Sequence, residues 1–157
     1  TVSINGEPVS VDGTSDAVTL SRKWKKGDII ELNLPMRPRL IEANPLVEEA
    51  KNQIAVMRGP IVYCLEGQDI ADGIRINDII LPADIRLTEK KITLQGHEMT
   101  VLEGDAIVIN NKPWNNQTLY RELRPAGKQK VHIRLIPYYA WDNRGIDDMS
   151  LWLPLTR

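Results

Sequence analysis

Apolar and polar residues alternate along much of this chain, which is the pattern of half-buried β-strands. In residues 29–34 every second side chain is apolar, namely Ile30, Leu32 and Leu34, and polar residues stand between them. A Lys-Gly-Asp turn at 26–28 comes directly before this segment. The pattern therefore predicts a strand that follows the turn and packs one face against a core.

Shorter runs of the same kind recur, and dipeptides such as Asn5-Gly6 and Gly59-Pro60 separate most of them. They lie at 2–4, 17–20, 40–42, 53–57, 61–65, 79–81, 92–94, 99–102, 106–109, 131–136 and 150–153. About twelve short strands with turn residues between them are typical of an antiparallel sandwich or barrel. We predict an all-β fold, an antiparallel and jelly-roll-like β-sandwich, formed as one unit or as two packed sandwich units.

Two segments depart from this alternation. Residues 46–54 carry apolar side chains at helical spacing but are too short for a stable helix, so we predict a turn that leads into a strand. Residues 111–128, which include Trp114, form the longest stretch without clear alternation. A loop of this length in a small domain is often functional or part of an interface.

Composition narrows the classes of function. The 157 residues fit one domain of ordinary size or two small units, and 42% of them are apolar, which is enough to fill a core. The 20 basic and 21 acidic residues balance, so no nucleic-acid partner is expected. No apolar run reaches the roughly 18 residues that span a bilayer, so no membrane partner is expected. The chain starts at Thr1 without the pattern of a secretory leader, and we expect it to be a piece of a longer protein.

No catalytic or metal-binding motif can be assembled from the sequence. The two histidines, His97 and His132, lie in different strand regions, and the single Cys64 has no second cysteine for a disulfide or a zinc knuckle. Two carboxylates can meet from any positions in a fold, so a glycosidase pair stays open, although turn or surface roles are favoured. Its candidates are Glu122, Asp142, Asp147 and Asp148. We assign no catalytic residue, no metal ligand and no cofactor to this chain.

Two single residues have expected structural roles. Strand alternation places Cys64 on the face opposite Tyr63 and Leu65, within an apolar run, so we predict a buried thiol rather than a nucleophile. Trp24 stands directly before the turn at 25–28. We expect its ring to pack over the end of a sheet.

Aromatic residues with a polar group suggest a contact surface. The chain has four Trp and four Tyr but no Phe, and several of these rings lie close together near residue 140. Such rings beside polar side chains could stack on a sugar, but Trp and Tyr are also enriched at protein interfaces, and the interface interpretation is favoured. The candidate contact residues, for carbohydrate or for a neighbouring domain, are Trp114, Tyr138, Tyr139, Trp141, Asn143 and Arg144.

Four segments together resemble the C-terminal region of glycoside hydrolase family 127, the β-L-arabinofuranosidase family. They are RKWKKGD at 22–28, LPM at 34–36, RGPIVYCLE at 58–66 and IPYYAWDNRG at 136–145. Their order and approximate spacing match, so the resemblance covers nearly the whole chain. The two long segments are specific, whereas the Trp-x-x-Gly-Asp turn alone is a weak signal.

The resemblance implies a larger bacterial enzyme in which an (α/α)6 barrel hydrolyses the substrate and β-sandwich domains follow it. It implies a cysteine nucleophile held near zinc in that barrel, so zinc is expected in the parent's catalytic domain and not here. Cys64 lies in a different strand motif and does not inherit the catalytic role. The resemblance also suggests that residues 1–43 finish one sandwich unit and residues 44–157 build the next, with the last strand returning to the first.

Two functions of different classes follow. In the first, the chain is a non-catalytic accessory domain, and its partner is the catalytic barrel of the same parent chain. In the second, it is a carbohydrate-binding module that holds plant oligosaccharide on its aromatic residues. The sequence does not indicate a localisation: periplasm, extracellular space and cytoplasm all stay open.

Overall fold

The structure is a computed structural model that describes residues 1–11, 17–110, 117–123 and 127–157. The chain divides into two compact units, residues 1–36 and 37–157. The proposed division into sandwich units at residues 43 and 44 stays a prediction.

Strands dominate the described residues, and helical residues are confined there to single 3₁₀ turns. The strands are β1 (Val2–Ile4), β2 (Glu7–Val9), β3 (Ile30–Leu32), β4 (Pro38–Glu42), β5 (Gln53–Arg58), β6 (Ile61–Glu66), β7 (Ile79–Pro82), β8 (Thr88–Leu94), β9 (His97–Asn110), β10 (Gly127–Pro137), β11 (Met149–Ser150) and β12 (Leu153–Thr156). The 3₁₀ turns are Glu48–Ala50, Gly67–Asp69, Ile76–Asp78 and Tyr138–Ala140. The predicted all-β class is confirmed. Within the described ranges, no helix is long and apolar enough to cross a membrane.

The unit of residues 1–36 is a three-stranded antiparallel sheet in the order β2-β1-β3. Asn5 and Gly6 turn β1 into β2, and both have positive φ angles, 53° and 82°, as a two-residue hairpin turn requires. The Asn5 side chain also ties β1 to the turn before β3, since its Oδ1 accepts from the Ile29 N–H at 2.8 Å and its Nδ2 donates to Asp28 at 2.9 Å. The sheet is therefore held by both backbone and side-chain hydrogen bonds.

Two expectations for this unit are wrong. The predicted strand at 17–20 does not form, since no strand described in the unit includes those residues. Ile30 and Leu32 pair with the buried residues Ile4 and Val2 and so share a sheet face with them, yet Ile30 and Leu32 are 51% and 62% exposed. Trp24 is 48% exposed, and the Arg22 guanidinium lies 5.4 Å from its ring centroid. Its packing over a sheet end stays a prediction. Periodicity identifies which face of a strand is apolar, but it does not show how much of that face is covered.

In residues 37–157 the strand pairings close on themselves. The closed ring runs β6-β10-β9-β7-β12-β5 and returns to β6. Neighbouring strands are antiparallel except for β7 and β12, which are parallel. Strands β4, β8 and β11 extend this sheet from β5, β9 and β6. The predicted sandwich is not confirmed, because the structure contains a closed six-stranded barrel. Period-2 alternation gives every strand an inside and an outside but does not specify whether the sheet closes.

Side chains from alternate positions fill two separate apolar clusters. The larger cluster includes Tyr63 and Leu65 of β6 together with Leu102, Ile133 and Leu135. The smaller cluster is formed by Cys64, Met99, Val101, Ile136 and Ala140. Cys64 is 1% exposed and lies on the strand face opposite its two neighbours, so the predicted burial is confirmed.

Strand boundaries differ from the predicted ones at β9. The Gly104-Asp105 dipeptide reads as a turn, but it lies inside β9, where Gly104 pairs with Ile133 of β10. A Cβ on Gly104 would stand 2.9 Å from the Arg86 carbonyl oxygen, so glycine here lets another backbone segment pack closely against the strand. The turn predicted within 46–54 is confirmed, since a single 3₁₀ turn at Glu48–Ala50 precedes β5.

We expect Tyr63→Phe to lower the free energy of unfolding by about 1 kcal/mol. The buried Tyr63 hydroxyl donates to the Thr100 carbonyl of β9 at 2.7 Å, and phenylalanine keeps the ring but loses that bond. Urea denaturation followed by Trp fluorescence would measure the loss. Tyr139→Phe removes a hydroxyl from an exposed ring and should change the value by less than about 0.5 kcal/mol. Equal losses in the two variants would contradict the role of the Tyr63 bond.

Candidate binding surface at the aromatic turn

Residues 138–144, called here the aromatic turn, follow directly on β10. Pro137 ends the strand, and the Trp141 N–H donates to the Tyr138 carbonyl at 3.1 Å to close one 3₁₀ turn. The Tyr138 and Trp141 rings stack with centroids 5.9 Å apart and planes 8° from parallel. Tyr139 points away from the core and is 65% exposed. The turn thus presents three partly exposed rings on one short segment.

Local hydrogen bonds fix the second half of the turn. Asp142 has a φ of 63°, a conformation that costs a non-glycine residue free energy. Its N–H donates to the Glu66 side chain at 3.1 Å, and the Asn143 Nδ2 donates to the Ala140 carbonyl at 3.1 Å. Ala140 is buried in the smaller apolar cluster. These contacts hold the backbone in one conformation.

An ion pair with two carboxylates lies beneath the turn. The Arg144 guanidinium binds Glu66 at the end of β6 and Asp69 in the following 3₁₀ turn, with the Nη1–Asp69 Oδ1 bond at 3.1 Å. Both carboxylate side chains are 2% exposed and the Arg144 side chain is 11% exposed. The hydrogen bonds that the guanidinium donates to Asp69 and Glu66 raise the pKa of Arg144 further above its usual value, although burial opposes them. The buried arginine is therefore charged, and its two Nη atoms bind the carboxylates, whereas its buried Nε has no hydrogen-bond partner among the described residues.

This ion pair continues into an exposed network. The Arg134 Nη1 atom stands 3.8 Å from Asp69, and its Nε donates to Glu103 at 2.9 Å. The Lys90 ammonium approaches the same Glu103 carboxylate at 3.3 Å. Burial alone would raise the pKa of Glu103, but the hydrogen bonds from Arg134 and Lys90 outweigh it and lower that pKa.

A surface cleft of about 550 Å³ adjoins the aromatic turn. One side is the hairpin that joins β8 to β9, which contributes Gln95, His97 and Glu98. The other side is the aromatic turn, which contributes Tyr139 and Asn143. The cleft therefore combines an exposed ring with amide, imidazole and carboxylate groups.

The structure brings most of the predicted contact residues together. Tyr139 and Asn143 both line the cleft, whereas Tyr138 and Trp141 are partly exposed, stack on each other and do not line it. The Arg144 guanidinium points inward to its carboxylates. Trp114 lies outside the described residues. A role of these residues in contacts stays a prediction.

Sequence reasoning missed the two carboxylates that hold the turn. Glu66 lies two residues after Cys64, so strand alternation places it on the same buried face, which is a weak signal for a paired acid. Asp69 gives no such signal. Because Arg144 lies more than seventy residues away along the chain, no local pattern links the three residues.

The described residues do not fit a zinc site. They contain no group of three His, Cys, Asp or Glu arranged to hold a metal. His97 is an exposed residue of the cleft, and His132 lies on β10 beside Asp105, with 3.5 Å between its Nδ1 and Asp105 Oδ1. Burial, aided by the negative charges of Glu66 and Asp69, raises the pKa of the Cys64 thiol to about 12. The thiol is therefore protonated at neutral pH and is a poor nucleophile.

Comparison with known proteins gives one consistent result. The glycoside hydrolase family 127 C-terminal domain matches residues 38–154. A non-reducing end β-L-arabinofuranosidase of Bifidobacterium longum is 30% identical, over 97% of this chain and 23% of its own length.

Solved structures agree with the sequence comparison. A structure described as a glycoside hydrolase is 47% identical with a TM-score of 0.88, and 99% of this chain covers 26% of that one. A family 127 β-L-arabinofuranosidase from Geobacillus stearothermophilus T6 is 35% identical with a TM-score of 0.85, over 99% of this chain and 24% of that one. This chain thus spans about a quarter of the length of these relatives.

Replacing Arg144 by Met should lower the free energy of unfolding by about 3–5 kcal/mol, because it leaves the buried Glu66 without its counter-charge and leaves Asp69 only the more distant Arg134. Urea denaturation at neutral pH measures this change. Adding Glu66→Gln and Asp69→Asn to the variant should recover part of the loss, since the uncompensated charges are then removed.

Arg157→Met is the matched control. Arg157 pairs with Glu42 at the surface, where their side chains are 75% and 65% exposed, so its removal should cost at most about 1 kcal/mol. A similar cost for Arg144→Met and Arg157→Met would show that the buried ion pair does not stabilise the fold.

The buried thiol predicts a stability difference at high pH. In the unfolded chain the Cys64 thiol ionises near its usual pKa of 9.0, whereas in the folded chain it ionises near 12. Between these values the unfolded state has lost a proton that the folded state keeps, so the free energy of unfolding falls as the pH rises. Cys64→Ala should show a shallower fall from pH 9 to 12 than the parent sequence. Identical slopes would contradict the raised pKa.

Proposed function

This chain belongs to glycoside hydrolase family 127 as its C-terminal domain, and we propose that it is a non-catalytic accessory domain which supports the catalytic domain of a longer parent enzyme. The parent would be a bacterial glycoside hydrolase that resembles β-L-arabinofuranosidases. Its catalytic (α/α)6 barrel, with the zinc-bound cysteine chemistry, would lie outside this chain.

The observation that carries this proposal is the length of the chain relative to its relatives. It spans 23–26% of relatives that are single, longer chains. Two kinds of group that could act in catalysis are also unsuited to it among the residues that the structure describes. The one cysteine is buried and protonated, and the carboxylates of Glu66 and Asp69 are buried and paired with Arg144. A supporting role explains these features together.

The unit of residues 1–36 supplies the surface for attachment. Its apolar side chains Ile30, Leu32 and Leu34, which alternate onto one face, are each more than half exposed. A sheet of three short strands is too small to be stable without further packing. In this proposal another part of the parent chain packs on that face and completes a β-sandwich, which is the arrangement that the family resemblance implies for residues 1–43.

An activity assay tests the accessory role. This chain alone should release no chromophore from a chromogenic β-L-arabinofuranoside, with zinc and reductant added, whereas the full-length parent should turn the substrate over. Turnover by this chain that disappears in Cys64→Ala would overturn both the accessory role and the structural role of the cysteine.

Leu32→Ser tests the attachment surface. In this chain alone Leu32 is 62% exposed, so the substitution should change the free energy of unfolding by less than about 0.5 kcal/mol. In the full-length parent the same change should cost about 2–4 kcal/mol, because it would then remove a buried leucine. Glu31→Ser, on the opposite face of β3, is the control and should be mild in both proteins. Equal effects of Leu32→Ser in the two proteins would contradict the covered face.

A further inference from the structure

We propose that the cleft between the aromatic turn and the β8–β9 hairpin is a binding site for a neutral saccharide. This inference goes beyond the accessory role, which needs no ligand at this cleft. The Tyr139 ring forms the platform, and polar side chains of the hairpin and the turn bind hydroxyl groups.

Size and shape fit a short saccharide. The cleft measures about 550 Å³, within the range of small-molecule sites. Its two walls come from different parts of the chain, the hairpin at 94–99 and the turn at 139–143. The buried side chains Met99 and Ala140 also line it, so its inner part is apolar. A ligand can therefore rest one face on apolar groups while its rim meets polar ones.

The polar groups suit hydroxyls better than phosphates. Asn143 donates through Nδ2 to the Ala140 carbonyl, and its Oδ1 is an acceptor that a ligand hydroxyl can use. Glu98 offers carboxylate acceptors, and Gln95 offers both an acceptor and donors. Among the described residues that line the cleft there is neither Lys nor Arg, so an anionic ligand meets no permanent positive charge there, only the imidazole of His97 and the Glu98 carboxylate. The hydroxyl groups of an uncharged sugar ring can both donate to and accept from these side chains.

The walls are held in place before any ligand arrives. Gln95 and Gly96 have φ angles of 50° and 81°, which form a tight two-residue turn between β8 and β9. On the other wall, the Tyr138–Trp141 stack and the Arg144 ion pair fix the turn that presents Tyr139. Binding therefore requires little ordering of the protein, which favours affinity for a small ligand.

Titration of this chain by two-dimensional amide NMR tests the proposal. The probes are methyl β-L-arabinofuranoside, cellotriose and, as a polyol without a ring, glycerol. We expect saturable shifts with at least one of the two ring sugars at Gln95, Gly96, Tyr139 and Asn143, and no saturation with glycerol. Dispersed amide signals in the same spectra show that each variant is folded.

Variants of Tyr139 show whether its ring contacts the sugar or only lies near the binding site. Tyr139→Ala should raise the Kd at least about tenfold, which corresponds to about 1.4 kcal/mol. Tyr139→Phe keeps the ring and should stay within about threefold of the starting value. Tyr120→Ala is the matched control, since Tyr120 is an exposed tyrosine that does not line the cleft, and it should leave the Kd unchanged.

Three outcomes would overturn the proposal. The first is no saturable shift with either ring sugar, and the second is saturation whose shifts lie away from the cleft. The third is an unchanged Kd in Tyr139→Ala. If the sugars fail but the separately produced remainder of the parent shifts the same amides, the aromatic turn is a domain contact. The accessory role would survive each of these results, because its own test is the activity of the full-length parent.

Discussion

The ion pair between Arg144 and the two buried carboxylates is the interaction on which the candidate binding surface depends. Glu66 and Asp69 belong to the end of β6 and the turn after it, and Arg144 belongs to the segment after β10. Their contact ties together two chain segments that are separated by more than seventy residues. Because all three charges are nearly buried, removing Arg144 would leave the Glu66 carboxylate desolvated and unpaired. The same carboxylate of Glu66 also holds the Asp142 backbone in its unfavourable conformation.

The closed sheet explains why such an ion pair is tolerated. The ring from β6 to β5 surrounds the larger apolar cluster and buries its aliphatic side chains almost completely. Apolar burial of this extent supplies most of the stability. A charged group at the rim can therefore fix the position of a neighbouring segment without having to stabilise the fold itself. Glu66 follows Leu65 directly: one side chain fills the core and the next anchors the aromatic turn.

Strands could be predicted from the sequence because alternation is a local property. The segment at 53–57 and the buried Cys64 were both correctly predicted from neighbouring residues. Closure of the sheet could not be predicted, because it depends on β5 pairing with both β6 and β12. Gly104 shows the same limit. Its dipeptide with Asp105 is typical of a turn, yet the glycine lies inside β9, where the Arg86 backbone approaches too closely for a side chain. No residue near Gly104 in the sequence indicates this approach.

The two exposed surfaces differ in the kind of partner that their chemistry permits. The face around Ile30 and Leu32 is aliphatic, and contact with a partner stabilises such a face only when another apolar surface excludes water from it. The cleft beside Tyr139 mixes a ring with amide and carboxylate groups, which stay solvated without a partner and can exchange water for hydroxyls. A permanent protein contact therefore fits the first surface, and a reversible small ligand fits the second. Because the β8–β9 hairpin and the aromatic turn are held by contacts within residues 37–157, the second surface is formed whether or not the first is covered.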